Sequence, residues 1–166
     1  MFRMKGLLAA VAVMAAVSGM SAPVLAMGSN TETQSSWRDD LKDAEREVKG
    51  QHYEKAIKIL AGVIKEQPKN ADALNYMGFS HRKLGDYDKA ISFYRMALDA
   101  DPNHQGANEY LGEAFLELND LPQAEERLAH LNKICGDDCD AYKELKQAVE
   151  AFKAGKAPKA SNRSYK

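Results

Sequence analysis

The sequence predicts an all-α array of three stacked helix hairpins closed by one capping helix. Three observations predict it. The chain repeats itself with a period of 34 residues. Each copy carries two amphipathic runs whose apolar residues recur at helical spacing. Turn and stop residues, Gly85-Asp86, Pro68 and Pro102, punctuate those runs at corresponding places.

The array is preceded by an address. Arg3 and Lys5 form a short basic start, Leu7 to Val17 is an unbroken apolar run, and Val24-Leu25-Ala26 offers a cleavage site. Together they predict a secretory signal peptide over 1–26, cut after Ala26, and a disordered linker over 27–35. The alternative, an uncleaved membrane anchor, is opposed by Pro23 and by the cleavage site. The basic start fits bacterial export, so the expected location is the periplasm, an oxidising space.

Charge excludes one class of partner. The whole chain carries 23 basic and 24 acidic residues, and losing Arg3 and Lys5 makes the mature chain more acidic still, so it has no nucleic-acid footprint. Basic residues gather at the end, from Lys153 to Lys166, in a segment rich in Gly, Pro and Ser. A disordered basic tail is expected over 155–166. Membrane contact is expected only through the leader or this tail.

The first hairpin takes its inner face from Leu41, Ala44 and Val48, which fit the repeat only if the turn before Tyr53 is one residue shorter than its relatives. Gly50 marks that turn. Ser36-Trp37-Arg38-Asp39 reads as a capping box, with Trp37 covering the exposed end of the stack. In the second copy Leu74, Met77, Gly78 and His81 lie on one face of the first helix, and Tyr87, Ala90, Ile91, Tyr94, Ala97 and Leu98 on one face of the second. In the third, Leu111-Gly112, Ala124 and Leu128 repeat Met77-Gly78, Ala90 and Tyr94. Small residues stand where helices must approach closely. Gly85 closes one helix and Asp86 caps the next.

The pattern of leucine, small residue, Gly-Asp-Tyr, alanine, aromatic, alanine and proline resembles the tetratricopeptide repeat. The resemblance implies a right-handed α-solenoid over 36–154, with repeats at about 37–70, 71–104 and 105–138. It also implies a protein-binding module whose first helices line a concave groove for an extended peptide or a partner's helix. Carried over by position, the groove residues are Asn75, Phe79, Arg82 and Lys83 from the second repeat, with Glu109, Glu113, Leu116 and Glu117 from the third. Glu45 and Lys49 are weaker candidates because the first repeat slips in register. Phe79 is the expected apolar anchor in a groove basic at its middle and acidic toward the cap. The lysine and asparagine pattern of the chaperone-binding carboxylate clamp is not reproduced.

The third copy ends differently. Gly136 replaces the proline of its relatives, and the run Asp140–Lys153 places Tyr142, Leu145, Ala148, Val149 and Phe152 on one face. This predicts a capping helix over 139–154. Cys135 ends the preceding helix and Cys139 begins the cap, with Gly136 as C-cap and Asp137 or Asp138 as the next N-cap. An i,i+4 pair within a helix has Cβ atoms about 5–6 Å apart, whereas a disulfide needs about 3.8 Å. A tight turn removes that difficulty, so export predicts a disulfide that staples the cap. Two other readings of the pair stay open: a soft Cu(I) site, which needs further ligands, and a redox pair, for which no thioredoxin-like βαβ unit is present.

No catalytic constellation is present, so the chain is expected not to be an enzyme and to need no cofactor. His52 lies in a turn, His104 in the linker after Pro102, His81 in the core, and His130 on the outer face. Paired acids sit at helix starts and on solvated faces. The function expected is a periplasmic adaptor for a protein or peptide of the cell envelope. The alternative is a small metal or redox carrier built on the cysteine turn. Self-association through the repeat ends is a third expectation.

Overall fold

Seven helices follow from the apolar pattern: α1 (Trp37–Lys49), α2 (Tyr53–Glu66), α3 (Ala71–Lys83), α4 (Tyr87–Ala100), α5 (Gln105–Glu117), α6 (Leu121–Cys135) and α7 (Asp140–Lys153). They come from a computed structural model that describes residues 36–156. The leader, the linker and the tail beyond Lys156 lie outside the described residues. Among those residues there is no β-strand, and no helix is long and apolar enough to cross a membrane.

The helices pair as α1–α2, α3–α4 and α5–α6, and each hairpin packs on the next through α2–α3 and α4–α5. Helix α7 lies against both helices of the last hairpin, α5 and α6. Close approach between helices depends on small residues. A Cβ on Gly78 would stand 2.7 Å from the ring of Tyr94, and one on Gly112 would stand 2.5 Å from Leu145 of α7. Ala44, Ala56, Ala90, Ala97, Ala107, Ala114 and Ala124 are all fully buried and bring backbones together elsewhere.

The turns inside the hairpins share one backbone device. A left-handed residue recurs at Gln51, Gly85 and Asn119, one per repeat at the 34-residue spacing. Only Gly85 adopts this conformation without steric cost. The first turn is therefore not shortened: it keeps three residues, and Gln51 rather than Gly50 makes the left-handed step. Gly50 is ordinary right-handed backbone. The altered face of α1 comes instead from its side chains. Glu47, at the repeat position that His81 holds in α3, binds His52 and Lys55 at 2.9 Å and 2.7 Å.

Four helix starts carry a side-chain cap: Asn70, Asp86, His104 and Asp120 each accept a hydrogen bond from the amide three residues on. The expected capping box at Ser36 is not formed. Its hydroxyl donates to Asp39 Oδ2 at 2.9 Å instead of accepting from the helix amides. Neither Asp137 nor Asp138 caps α7; Cys139 holds the N-cap position, without a side-chain cap bond. Trp37 is half-buried at the start of the stack, with the Arg38 guanidinium 4.3 Å from the centre of its ring system.

Candidate functional site

The residues proposed for the groove fall on two neighbouring helices, α3 and α5, which touch one another directly. Asn75, Phe79, Arg82 and Lys83 lie on α3, and Glu109, Glu113, Leu116 and Glu117 on α5. Spacings of three to four residues place each set along one face.

Phe79 is not an open anchor. It is 1% exposed, with ring centroids 6.3 Å from Tyr53 and 5.0 Å from Tyr110. The Lys83 ammonium lies 5.1 Å from the Phe79 centroid. Tyr110 continues the aromatic row to Tyr94, at 6.3 Å. Sequence reasoning left Tyr53, Tyr94 and Tyr110 out of the site. The signal available was the pair Tyr76 and Tyr110, which recur one repeat apart immediately before Met77 and Leu111.

Arg82 is not a free basic group at mid-groove. Its Nη2 lies 2.8 Å from Glu113 Oε2 and its Nη1 3.3 Å from Glu117 Oε1, all three side chains being almost fully buried. The guanidinium carbon is 5.6 Å from the centroids of both Phe79 and Tyr110. Burial alone would favour losing the proton, but the negative groups around Arg82 outweigh it and hold its pKa above the usual value. Burial pushes the Tyr94 hydroxyl well above the ordinary phenol range, and the Arg82 charge only partly offsets it. Both groups therefore keep their protons at any physiological pH.

Asn75 differs from its neighbours. It is fully buried, and neither Nδ2 nor Oδ1 has a hydrogen-bond partner among the described residues. An unpartnered buried amide is costly, by about 1–3 kcal/mol. Gly106 at the start of α5 leaves space beside it, since a Cβ there would stand 3.2 Å from Asn75 Nδ2. Leu116 is buried in the core, whereas Lys83 and Glu109 keep partial exposure. Glu45 and Lys49 pair with each other at 2.8 Å on α1.

The histidines serve structure. His104 Nδ1 accepts from the Ala107 amide at 3.0 Å, and Nε2 faces Asp72 of α3 at 3.1 Å. His81 stacks on Phe93 at 5.5 Å, with Nδ1 3.5 Å from Asp86. His130 does not simply point outward: its Nε2 reaches back to the Pro102 carbonyl at 3.0 Å. Asn108 donates to that same carbonyl and to that of His104, and Arg127 donates to Asn108. These bonds fasten the linker between the second and third repeats.

Cys135, the last residue of α6, is disulfide-bonded to Cys139 at the start of α7. In that state neither sulfur is a thiolate ligand. Among the described residues no group of three His, Cys, Asp or Glu side chains could hold a metal ion.

Two family models described as tetratricopeptide repeat match this chain, one over residues 41–105 and one over 81–149. Tetratricopeptide repeat protein 37 of Xenopus laevis is 26% identical over 126 residues, covering 67% of this chain and 8% of that protein. Tetratricopeptide repeat protein 1 of Schizosaccharomyces pombe is 31% identical over 90 residues, covering 51% of this chain and 9% of that protein. The chain thus spans less than a tenth of the length of either curated relative. Among solved structures, the type III secretion translocator chaperone SycD of Yersinia enterocolitica superposes with a TM-score of 0.65 at 19% identity, over 72% of this chain and 84% of that one. A second SycD structure, in complex with a peptide of the translocator YopD, gives 0.63 at 22% identity, over 75% and 98%. The first such repeat domain of Spaghetti (RPAP3), bound to an HSP90 peptide, gives 0.63 at 17% identity, over 71% and 93%. At these identities the likeness to solved structures is one of fold.

Proposed function

The chain belongs to the tetratricopeptide repeat family, and from that premise we propose that it is a non-enzymatic adaptor of the bacterial periplasm, holding a segment of an envelope protein against the α3–α5 face. The family and the α-solenoid fold make it a protein-interaction module. The envelope location is supported by the leader-like residues 1–26.

The observation that carries the choice of face is the pair of partly exposed, opposite charges that α3 and α5 present together, Lys83 over the Phe79 ring and Glu109 next to Tyr110 in the sequence. A peptide main chain laid along these helices offers C=O groups to the lysine and N–H groups to the carboxylate. Two of the solved relatives, SycD and the RPAP3 domain, hold peptides, which supports a peptide as the class of ligand.

The test is affinity capture from envelope extracts, read by quantitative mass spectrometry. Wild type is compared with Lys83→Glu/Glu109→Lys, two half-exposed groove positions, and with Arg95→Glu on an exposed turn of α4. The reading expects a protein enriched by wild type and Arg95→Glu and lost from the groove variant. Enrichment unaffected by the groove variant would contradict it. The intact mass of protein from a periplasmic fraction should begin at Met27; the full-length mass would refute cleavage after Ala26.

A further inference from the structure

We infer that the buried cluster of Arg82, Glu113 and Glu117 is a spacing device that fixes the separation of α3 and α5, and with it the width of the face between the second and third repeats. Its bearing on partner binding rests on the function proposed above; the spacing itself does not.

The placement makes the cluster suited to this role. Helices α3 and α5 meet over only a short stretch, because α3 packs chiefly along α4 and α5 chiefly along α6. Direct packing at the seam comes from few side chains, among them Phe79 against Tyr110 and Asn75 beside Gly106. Arg82 crosses that seam and reaches two carboxylates one turn apart on α5, at 2.8 Å and 3.3 Å. Its guanidinium lies at equal distance, 5.6 Å, from Phe79 on its own helix and from Tyr110 on the other. A planar fork held by two carboxylates and flanked by two rings accepts one geometry. An apolar contact of the same volume would let the two helices slide.

Stability does not explain the cluster. Removing charges from water costs as much as, or more than, their mutual attraction returns, and an apolar replacement of similar volume is often neutral or stabilising. The helices are already locked by packing, at Gly78 against Tyr94 within the second hairpin and at Gly112 against Leu145 between the third hairpin and the cap. What the ions add over an apolar core is fixed register, the best-attested use of buried polar groups.

The experiment uses the full chain and needs no partner, so its failure is separate from failure of the proposed function. Spin labels are placed at Leu84→Cys and Leu118→Cys, exposed residues that end α3 and α5; Cys135 and Cys139 are bonded to each other and take no label. Pulsed electron resonance then gives the distance distribution with the native cluster and with Arg82→Met/Glu113→Met/Glu117→Met. The triple change is chosen because removing Arg82 alone would strand two buried carboxylates and unfold the region for an unrelated reason. The expected result is an unchanged melting temperature, within about 5 °C, with a distance distribution at least twice as wide or a shifted maximum. Labels at Leu84→Cys and Met96→Cys, within one repeat, should show no change. An unaltered Leu84–Leu118 distribution would overturn the inference. So would a fall in melting temperature beyond about 10 °C, which would make the cluster a stability element.

Discussion

Leu145 of the capping helix seats directly on Gly112 of α5: a Cβ at Gly112 would lie 2.5 Å from Leu145 Cδ2 and 3.2 Å from its Cγ. The contact joins the last hairpin to its cap through a glycine in mid-helix, where glycine otherwise costs about 1 kcal/mol relative to alanine. Gly112→Ala gains that propensity but must displace a fully buried leucine, with an overpacking cost of about 1–3 kcal/mol. The expected outcome is net destabilisation with local loosening of α7. Chemical denaturation and hydrogen exchange at residues 141–149 check it; a stabilised variant would mean that α7 shifts freely.

The cap at His104 is an uncommon use of histidine. Its Nδ1 accepts from the Ala107 amide while Nε2 faces Asp72. His104→Ala should cost about 1 kcal/mol, and His104→Asn, which keeps an acceptor for Ala107, should recover much of it. Denaturant midpoints of the two variants test the ordering.

Stability should fall on acidification in two stages. Hydrogen bonds hold three carboxyls below their ordinary values: Glu47 through Lys55 and His52, Asp72 through His104, and Asp86 through Lys89. Burial holds His81 below its usual value, with Asp86 partly opposing. For all four the unfolded chain takes up the proton more readily than the folded one, so stability rises with pH. The carboxyl contribution is complete above their unfolded values of about 4 and is lost as pH falls through the lowered folded values. The His81 contribution is complete above about pH 6.5 and is lost between there and its lowered folded value. Melting curves from pH 8 to 3 should show a gentle decline below about 6.5 and a steeper one below about 4. His81→Phe, which keeps the stack on Phe93, should remove most of the first; an unchanged upper decline would assign it to another group.

The disulfide should be a modest staple. It closes a five-residue loop, Cys135 to Cys139, for which loop entropy gives about 2 kcal/mol. Leu145 and Val149 stay buried without it. Reduction should therefore lower the melting temperature by on the order of 5–10 °C while helix content is retained. Loss of the α7 signal on reduction would show that the bond, not apolar packing, holds the cap.

The helices were legible because their signals are local. Period, apolar spacing, Gly85, Pro68 and Pro102 act within a few residues of where they stand. The candidate site was legible only in outline. Position in the repeat identified the α3 and α5 residues, but not what they do to one another. Arg82 meets Glu113 and Glu117 across 31 and 35 residues, and Phe79 is closed over by rings from two other helices. Such pairings depend on how repeats stack, which one repeat's pattern does not encode. The helix starts at His104 and Cys139 escaped for a different reason: neither residue type favours an N-cap, and each is kept there by a bond to a distant partner or to Cys135.

Crosslinking tests most directly whether the α3–α5 face holds the partner. Phe79 is too deeply buried to carry a probe, so a photo-crosslinking amino acid is placed at half-exposed Glu109, with a control at exposed Arg95, in cells of the native host. The expected result is a discrete adduct from Glu109 and none from Arg95, containing one envelope protein joined through a short segment. An adduct from Arg95 alone would contradict it and move the binding surface to α4.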